Sequence, residues 1–145
     1  MTLHLVKLCV GVDDIDDLAE WQTRRAAERK AAGQRHDCIH RTRMMPKRQD
    51  ELLDGGSLYW VIKGVIRVRQ RLVAIEEGKM DDGSTCALLA LDRKLARTLP
   101  KPMRPFQGWR YLSPGDAPGD LGEAGGDVAR MPAAMVEELR SLGLL

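Results

Sequence analysis

The segment His40-Arg41-Thr42-Arg43-Met44-Met45-Pro46-Lys47-Arg48 carries four permanent cations and no acid. Guanidinium and ammonium groups at this density suit phosphate, which arginine grips through paired hydrogen bonds. Arg41, Arg43, Lys47 and Arg48 are therefore candidate contacts to a phosphate-bearing partner. If the segment is extended, Arg41 and Arg43 share one face. The bland counterpart is a solvated loop balanced by Asp50, Glu51 and Asp54. A second cationic feature lies in Ser57–Glu76. Read as strand, it places Arg67, Arg69 and Arg71 on one face, opposite Ile66, Val68, Gln70 and Leu72. Three like charges in a row repel unless an anion lies over them. Glu76, Glu77 and a later acidic loop could supply that anion. The reading favours an external one, a phosphate backbone.

Aromatic residues are few and grouped. Of the six in the chain, Tyr59, Trp60, Phe106, Trp109 and Tyr111 fall in two short segments. In Pro105–Leu112 an extended backbone sends Trp109 and Tyr111 one way and Arg110 the other, while Gly108 leaves backbone uncovered beside them. Aromatic faces next to guanidinium groups form a platform for bases, worth about 1–3 kcal/mol per stacked base. Trp60 is read as core filling, Trp109 and Tyr111 as platform, and Trp21, on a helix, as a minor contributor. Lys47, Lys63 and Tyr59 are conceivable acid–base groups, but no G-x-S-x-G, H-E-x-x-H or phosphate-cradling glycine loop accompanies them. His36 and His40 stand four apart around Cys38 in a stretch read as loop, with no second ligand cluster. No catalytic residue, metal or cofactor is expected.

These groups must be carried by a small scaffold. A chain of 145 residues, 43% hydrophobic and 30% charged, fits one soluble domain. The net charge of +2 makes the distribution of cations, rather than their sum, the informative quantity. No apolar run reaches the ~18–20 residues that span a bilayer, and the amino terminus alternates in place of showing a signal peptide's apolar stretch. Cys9, Cys38 and Cys86 are odd in number and far apart, as idle thiols of a reducing cytoplasm would be.

Along the chain, residues 2–12 are apolar on both alternating sets, which predicts a strand covered on both faces. Asp13 or Asp14 can cap a helix over about 14–32, whose acids come first and bases last, complementing its dipole. A turn of helix is expected at Lys47–Leu53. Strands follow at Ser57–Lys63 and Val65–Glu76 with Gly64 as a tight connection, then an Asp81-Asp82-Gly83 turn and a strand over Thr85–Leu91. Leu91–Leu99 is ambiguous, with a short helix one option, and Phe106–Leu112 reads as strand. Residues 113–130 form an acidic, Gly/Pro-rich loop in which Ser113–Asp127 holds four acids and no base. A C-terminal helix over Pro132–Leu142 closes the chain. The class predicted is α+β: a small, mostly antiparallel β-barrel or sheet with two or three helices. Leu5, Val6, Leu8, Trp60, Ile62, Val68 and Leu139 should form the core.

The strings MTLHLVKLCVGVDD, IHRTRMMPKR, LLDGGSLYWVIKGVIRVRQR and FQGWRYL resemble an uncharacterised alphaproteobacterial family, domain of unknown function 1489. More distantly, the order of elements is similar to the PUA-like superfamily, including its ASCH and EVE branches. That likeness implies a pseudo-barrel with a ligand cleft beside its first helix, rimmed by Arg41 to Arg48 and lined by Tyr59, Lys63 and Trp109. The ASCH signature G-x-K-x-x-E-x-R is not present. The expected function is a non-catalytic binding module for RNA or a modified nucleotide, using Arg41, Arg43, Lys47, Arg48, Tyr59, Lys63, Arg67, Arg69, Trp109, Arg110 and Tyr111. An enzyme acting on a nucleotide or nucleic acid, and a protein-interaction module, are the alternatives.

Overall fold

The computed structural model describes residues 2–33 and 38–121. Strand β1 (His4–Leu8) lies inside the sheet, between β3 (Ser57–Ile62), which runs parallel to it, and β7 (Trp109–Leu112), which runs antiparallel. Leu5 and Val6, on opposite faces, are both fully buried, as a strand apolar on both sides requires. Helix α1 (Ile15–Ala31) is capped by Asp14, whose carboxylate accepts a hydrogen bond from the Asp17 amide at 2.8 Å. Leu18, Gln22 and Ala26 are its buried residues, and Asp16 and Asp17 open it while Arg29 and Lys30 close it. Strand β2 (Ile39–Thr42) and the single turn α2 (Gln49–Leu52) follow.

Ile62 and Val65 pair across a two-residue turn in which Lys63 and Gly64 both have positive φ, +50° and +80°. This is the hand that matches strand twist, so the connection between β3 and β4 (Val65–Lys79) is as tight as expected. β4 runs through the whole sheet. β3 takes one of its edges, and β5 (Thr85–Leu91) and β6 (Ala96–Pro102) share the other in succession. β6 corrects the helical option for Leu91–Leu99. Backbone pairing to Val65–Arg69 holds this stretch extended, and its prolines fit a strand that needs few donors.

The result is a mixed α+β fold with a seven-stranded sheet, in the order β2-β5-β4-β3-β1-β7 with β6 on β4. It does not close into a barrel, which corrects one of the two expected forms. β2 and β7 are four residues each, and no ladder joins them. Side chains of β7 instead reach the loop that follows β2. Trp109 Nε1 donates to the Met44 carbonyl at 2.8 Å, and the Lys47 and Arg48 amides donate to the Tyr111 hydroxyl oxygen at 2.9 and 3.3 Å.

Two apolar clusters flank the sheet. The larger includes Leu5, Leu18, Leu58, Trp60, Ile62, Val68 and Leu89; the smaller holds Val6, Tyr59, Val61, Ile66, Phe106 and Leu112. Ile66 and Val68 are two apart, so a regular strand would place them together. They lie in opposite clusters because β4 bulges between them: the register of both its neighbours slips there. Arg67 sits at that bulge, which removes it from the arginine row. Of the expected core, Leu8 is half-buried, and Leu139 lies outside the described residues, as does the C-terminal helix.

Candidate binding cleft beside helix α1

A cleft opens between α1 and the sheet, and Trp21, His40 and Trp60 are among its lining residues. Trp60, on β3, is 3% exposed; its indole N–H donates to Gln70 Oε1 at 2.8 Å. Gln70 and Gln22 pair amide to amide, each donating to the other at 2.8 and 2.7 Å, and Gln70 also donates to the Asp92 carbonyl at 2.9 Å. This buried network bolts α1, β3 and β4 together and fixes the plane of the indole. His40, on β2, meets Trp60 edge-on with ring centroids 5.0 Å apart. Trp21, on α1, remains 40% exposed and carries the Arg25 guanidinium over its ring at 5.4 Å.

The cleft has two parts that share Trp21 and His40. The apolar part, about 390 Å³, is lined by Leu8, Val10, Val12, Leu18 and Trp60, with Lys7 and Cys9 from β1 and its following turn. The cationic part, about 530 Å³, is lined by Arg25, Arg29, Arg41 and Lys79 with Ile39 and Leu88. Among the described residues no aspartate or glutamate lines either part.

Burial governs the titration of this site. It pushes His40 down to about 4 from its ordinary 6.5, with the charge of Lys7 adding to the effect. Burial lowers Lys7 as well. The Cys9 thiol is raised to about 11, again mainly by burial, so it stays protonated and is no nucleophile at neutral pH. His40 Nε2 is buried without a hydrogen-bond partner among the described residues.

A pH dependence of stability follows. An unfolded chain protonates His40 near 6.5, whereas the folded chain keeps it neutral to about 4. Between those values the unfolded state binds more protons, so stability is complete above about 6.5 and falls as the pH drops towards 4. The loss attributable to His40 is at most ~3 kcal/mol. His4, lowered by burial and by Arg69, adds in the same direction. Urea unfolding at pH 7 and pH 4.5 should show the decline, and His40→Phe should reduce it. An unchanged decline in that variant would place the effect elsewhere.

The residues singled out from the sequence divide among three places. Arg41 lines the cationic part of the cleft, with Asp81 at a loose 3.9 Å. Lys47, Arg48, Trp109 and Tyr111 are brought together across the open edge: Trp109 and Tyr111 touch edge-on at 4.8 Å, and Arg48 lies 5.7 Å over the tyrosine ring. Trp109 is nonetheless half-buried against the larger core, and its N–H is committed to Met44. Gly108 has φ +68°, so the backbone hand of the loop accounts for glycine there. Arg43 is exposed in the loop that follows β2.

The remaining residues lie elsewhere. Tyr59 is buried in the smaller cluster against His4, at 5.1 Å. Arg69 opposes it and forms a two-pronged pair with Asp120 at 2.7 and 2.8 Å, plus a bond to Ser57 Oγ. The acidic loop therefore supplies the anion for Arg69, the internal option for the arginine row. Lys63 reaches Asp13 at 3.5 Å, and Arg110 lies over Phe106 at 4.9 Å on the face away from Trp109. Neither Tyr59 nor Lys63 lines the cleft among its described walls. Sequence reasoning had set aside Trp21, Trp60 and His40 as pocket residues and passed over Lys7, Arg25, Arg29 and Lys79. One signal was present: Lys7 is a lysine in a strand read as covered on both faces.

Fold and cleft together define a small α+β protein with an open aromatic and cationic cleft beside its first helix. The chain belongs to the family described as Protein of unknown function (DUF1489), whose model matches residues 5–145. Neither the curated proteins nor the solved structures contain a match to it. No helix among the described residues is long and apolar enough to cross a membrane.

Proposed function

We propose that this protein is a non-catalytic binding module for RNA or a modified nucleotide, and that the cleft beside α1 is its binding groove. The observation that carries the reading is the continuity of the two parts of the cleft. An apolar, tryptophan-walled space suits a planar base, and it opens directly into a channel lined by Arg25, Arg29, Arg41 and Lys79, which suits phosphate. Trp21 and His40 stand at the junction, where the glycosidic link would pass. Arg41 is the member of the basic segment that takes part. Lys47, Arg48 and Tyr111 offer a second surface along the open edge for a longer strand. The likeness in element order to PUA-like proteins belongs to the same proposal.

A short mixed-sequence single-stranded RNA, titrated at low salt, should quench tryptophan fluorescence. Trp21→Phe should remove most of that signal, the reverse of what its helical position alone suggests. Arg25→Gln/Arg41→Gln should weaken binding and flatten its salt dependence by about one unit of slope per lost phosphate contact. Folding should barely change, because exposed pairs are worth ~0–1 kcal/mol. Intact protein that neither retains RNA nor changes fluorescence would sink the reading, and turnover of a nucleotide would move it to an enzyme.

A further inference from the structure

The apolar part of the cleft contains two polar groups that the rest of the protein leaves unanswered. Lys7 is half-buried, faces Trp60 across the parallel β1–β3 pair, and has no carboxylate partner among the described residues. His40 lines the same space, and its Nε2 is buried and without a hydrogen-bond partner among the described residues. The two residues come from different strands, β1 and β2, and line the same space. Trp60 lies beside both: its indole meets the imidazole edge-on, and it is the cross-strand neighbour of Lys7.

A half-buried ammonium and a buried imidazole nitrogen without partners each carry a partial desolvation cost that a complementary group relieves. Four cations already line the adjoining channel and suffice for a phosphate. Lys7 is separate from them, at the apolar end, where a base's phosphate would not reach while its ring lies against Trp60. The group that satisfies Lys7 must therefore belong to the ring itself.

We propose that the apolar end of the cleft selects a planar ring bearing an acidic substituent, with Lys7 Nζ and His40 Nε2–H donating to the same oxyanion. Resting on the binding reading above, this makes the ligand a nucleotide whose base carries a carboxylate. A neutral base would leave the ammonium without a counter-charge. A free acidic ring lacking phosphate would fill only the apolar half.

The test compares uridine 5′-monophosphate with its 5-carboxy derivative by calorimetric titration of the full chain. The carboxy derivative should bind at least about tenfold more tightly, the scale of one charge-assisted hydrogen bond. Lys7→Met keeps the apolar stem and should erase that preference, read as the ratio of the two nucleotides' affinities in the same variant. His40→Phe, which keeps the contact with Trp60, should reduce it. Arg25→Gln should weaken both ligands by the same factor. Equal binding of the two nucleotides by the wild type, or a preference that survives Lys7→Met, overturns the proposal and leaves the RNA-binding reading in place. If neither nucleotide nor the single-stranded RNA binds, both fall. A Lys7→Met chain that loses its folded circular dichroism is replaced by Lys7→Gln, for which the same loss of preference is expected.

Discussion

Trp60→Ala is expected to destabilise the protein by about 3–5 kcal/mol, the range for truncating a large buried aromatic side chain. The indole is 3% exposed and sits in the larger cluster with Leu5, Leu18, Leu58 and Val68. Its loss would remove the ring against which His40 packs and the donor to Gln70. Collapse around the gap is resisted, because β3 is buried along its whole length and paired on both edges. Trp60→Phe separates the two contributions. It keeps most of the packing and loses the N–H donor, so about 1–2 kcal/mol should remain lost. Denaturant unfolding of both variants gives the comparison. A loss below ~1 kcal/mol for Trp60→Ala would mean that the indole serves only the cleft.

The outline of this fold was legible where local chemistry decides it. Charge order and Asp14 mark α1, the paired apolar sets mark β1, and Lys63-Gly64 marks the turn between β3 and β4. What could not be read depends on partners distant in sequence. The bulge at Arg67 is invisible to a period-two reading, yet it sends Ile66 and Val68 into different clusters and breaks the arginine row. Asp120 neutralises Arg69 from 51 residues away, so an apparent excess of charge was balanced internally. Whether the sheet closes was likewise not local. It depends on the short edge strands β2 and β7, between which Trp109 and Tyr111 bond to Met44, Lys47 and Arg48 in the loop after β2.

The wall residues that the resemblance implied are not among the described residues that line the space beside α1: Tyr59 packs in the smaller cluster, Lys63 sits in the β3–β4 turn, and Trp109 packs against the edge of the larger cluster. Tyr59 alternates with Trp60, and the register that buries Trp60 towards α1 turns Tyr59 into the other cluster. Basic residues clustered in sequence drew attention to positions 41–48. The cleft gathers its cations singly, from α1, β2 and β4: Arg25 and Arg29, Arg41, and Lys79. No window along the chain contains that set. Trp60 belongs to the core and lines the cleft at once, and a residue that satisfies every criterion for core filling gives no sign in sequence that it also borders a cleft.

Gln70→Leu carries the other large effect, and it tests how the cleft is held rather than what it binds. Leucine matches the buried volume but leaves the Trp60 N–H, both ends of the Gln22 amide and the Asp92 carbonyl without their partner. A buried polar group stranded in this way costs roughly 1–3 kcal/mol, and the Gln22 amide with Trp60 makes a loss of about 3–5 kcal/mol the expectation. Gln22→Leu in the same chain should be partly compensating. It removes the stranded amide and replaces it with apolar surface, so the double variant should be 1–3 kcal/mol more stable than additivity of the two single losses predicts. The Trp60 indole and the Asp92 carbonyl stay unanswered in that variant, which keeps it below the wild type. Urea midpoints of the three chains and the wild type measure the cycle. Strict additivity would mean that the two amides stabilise α1 and β4 independently, and that the paired geometry is not what fixes the indole against the cleft.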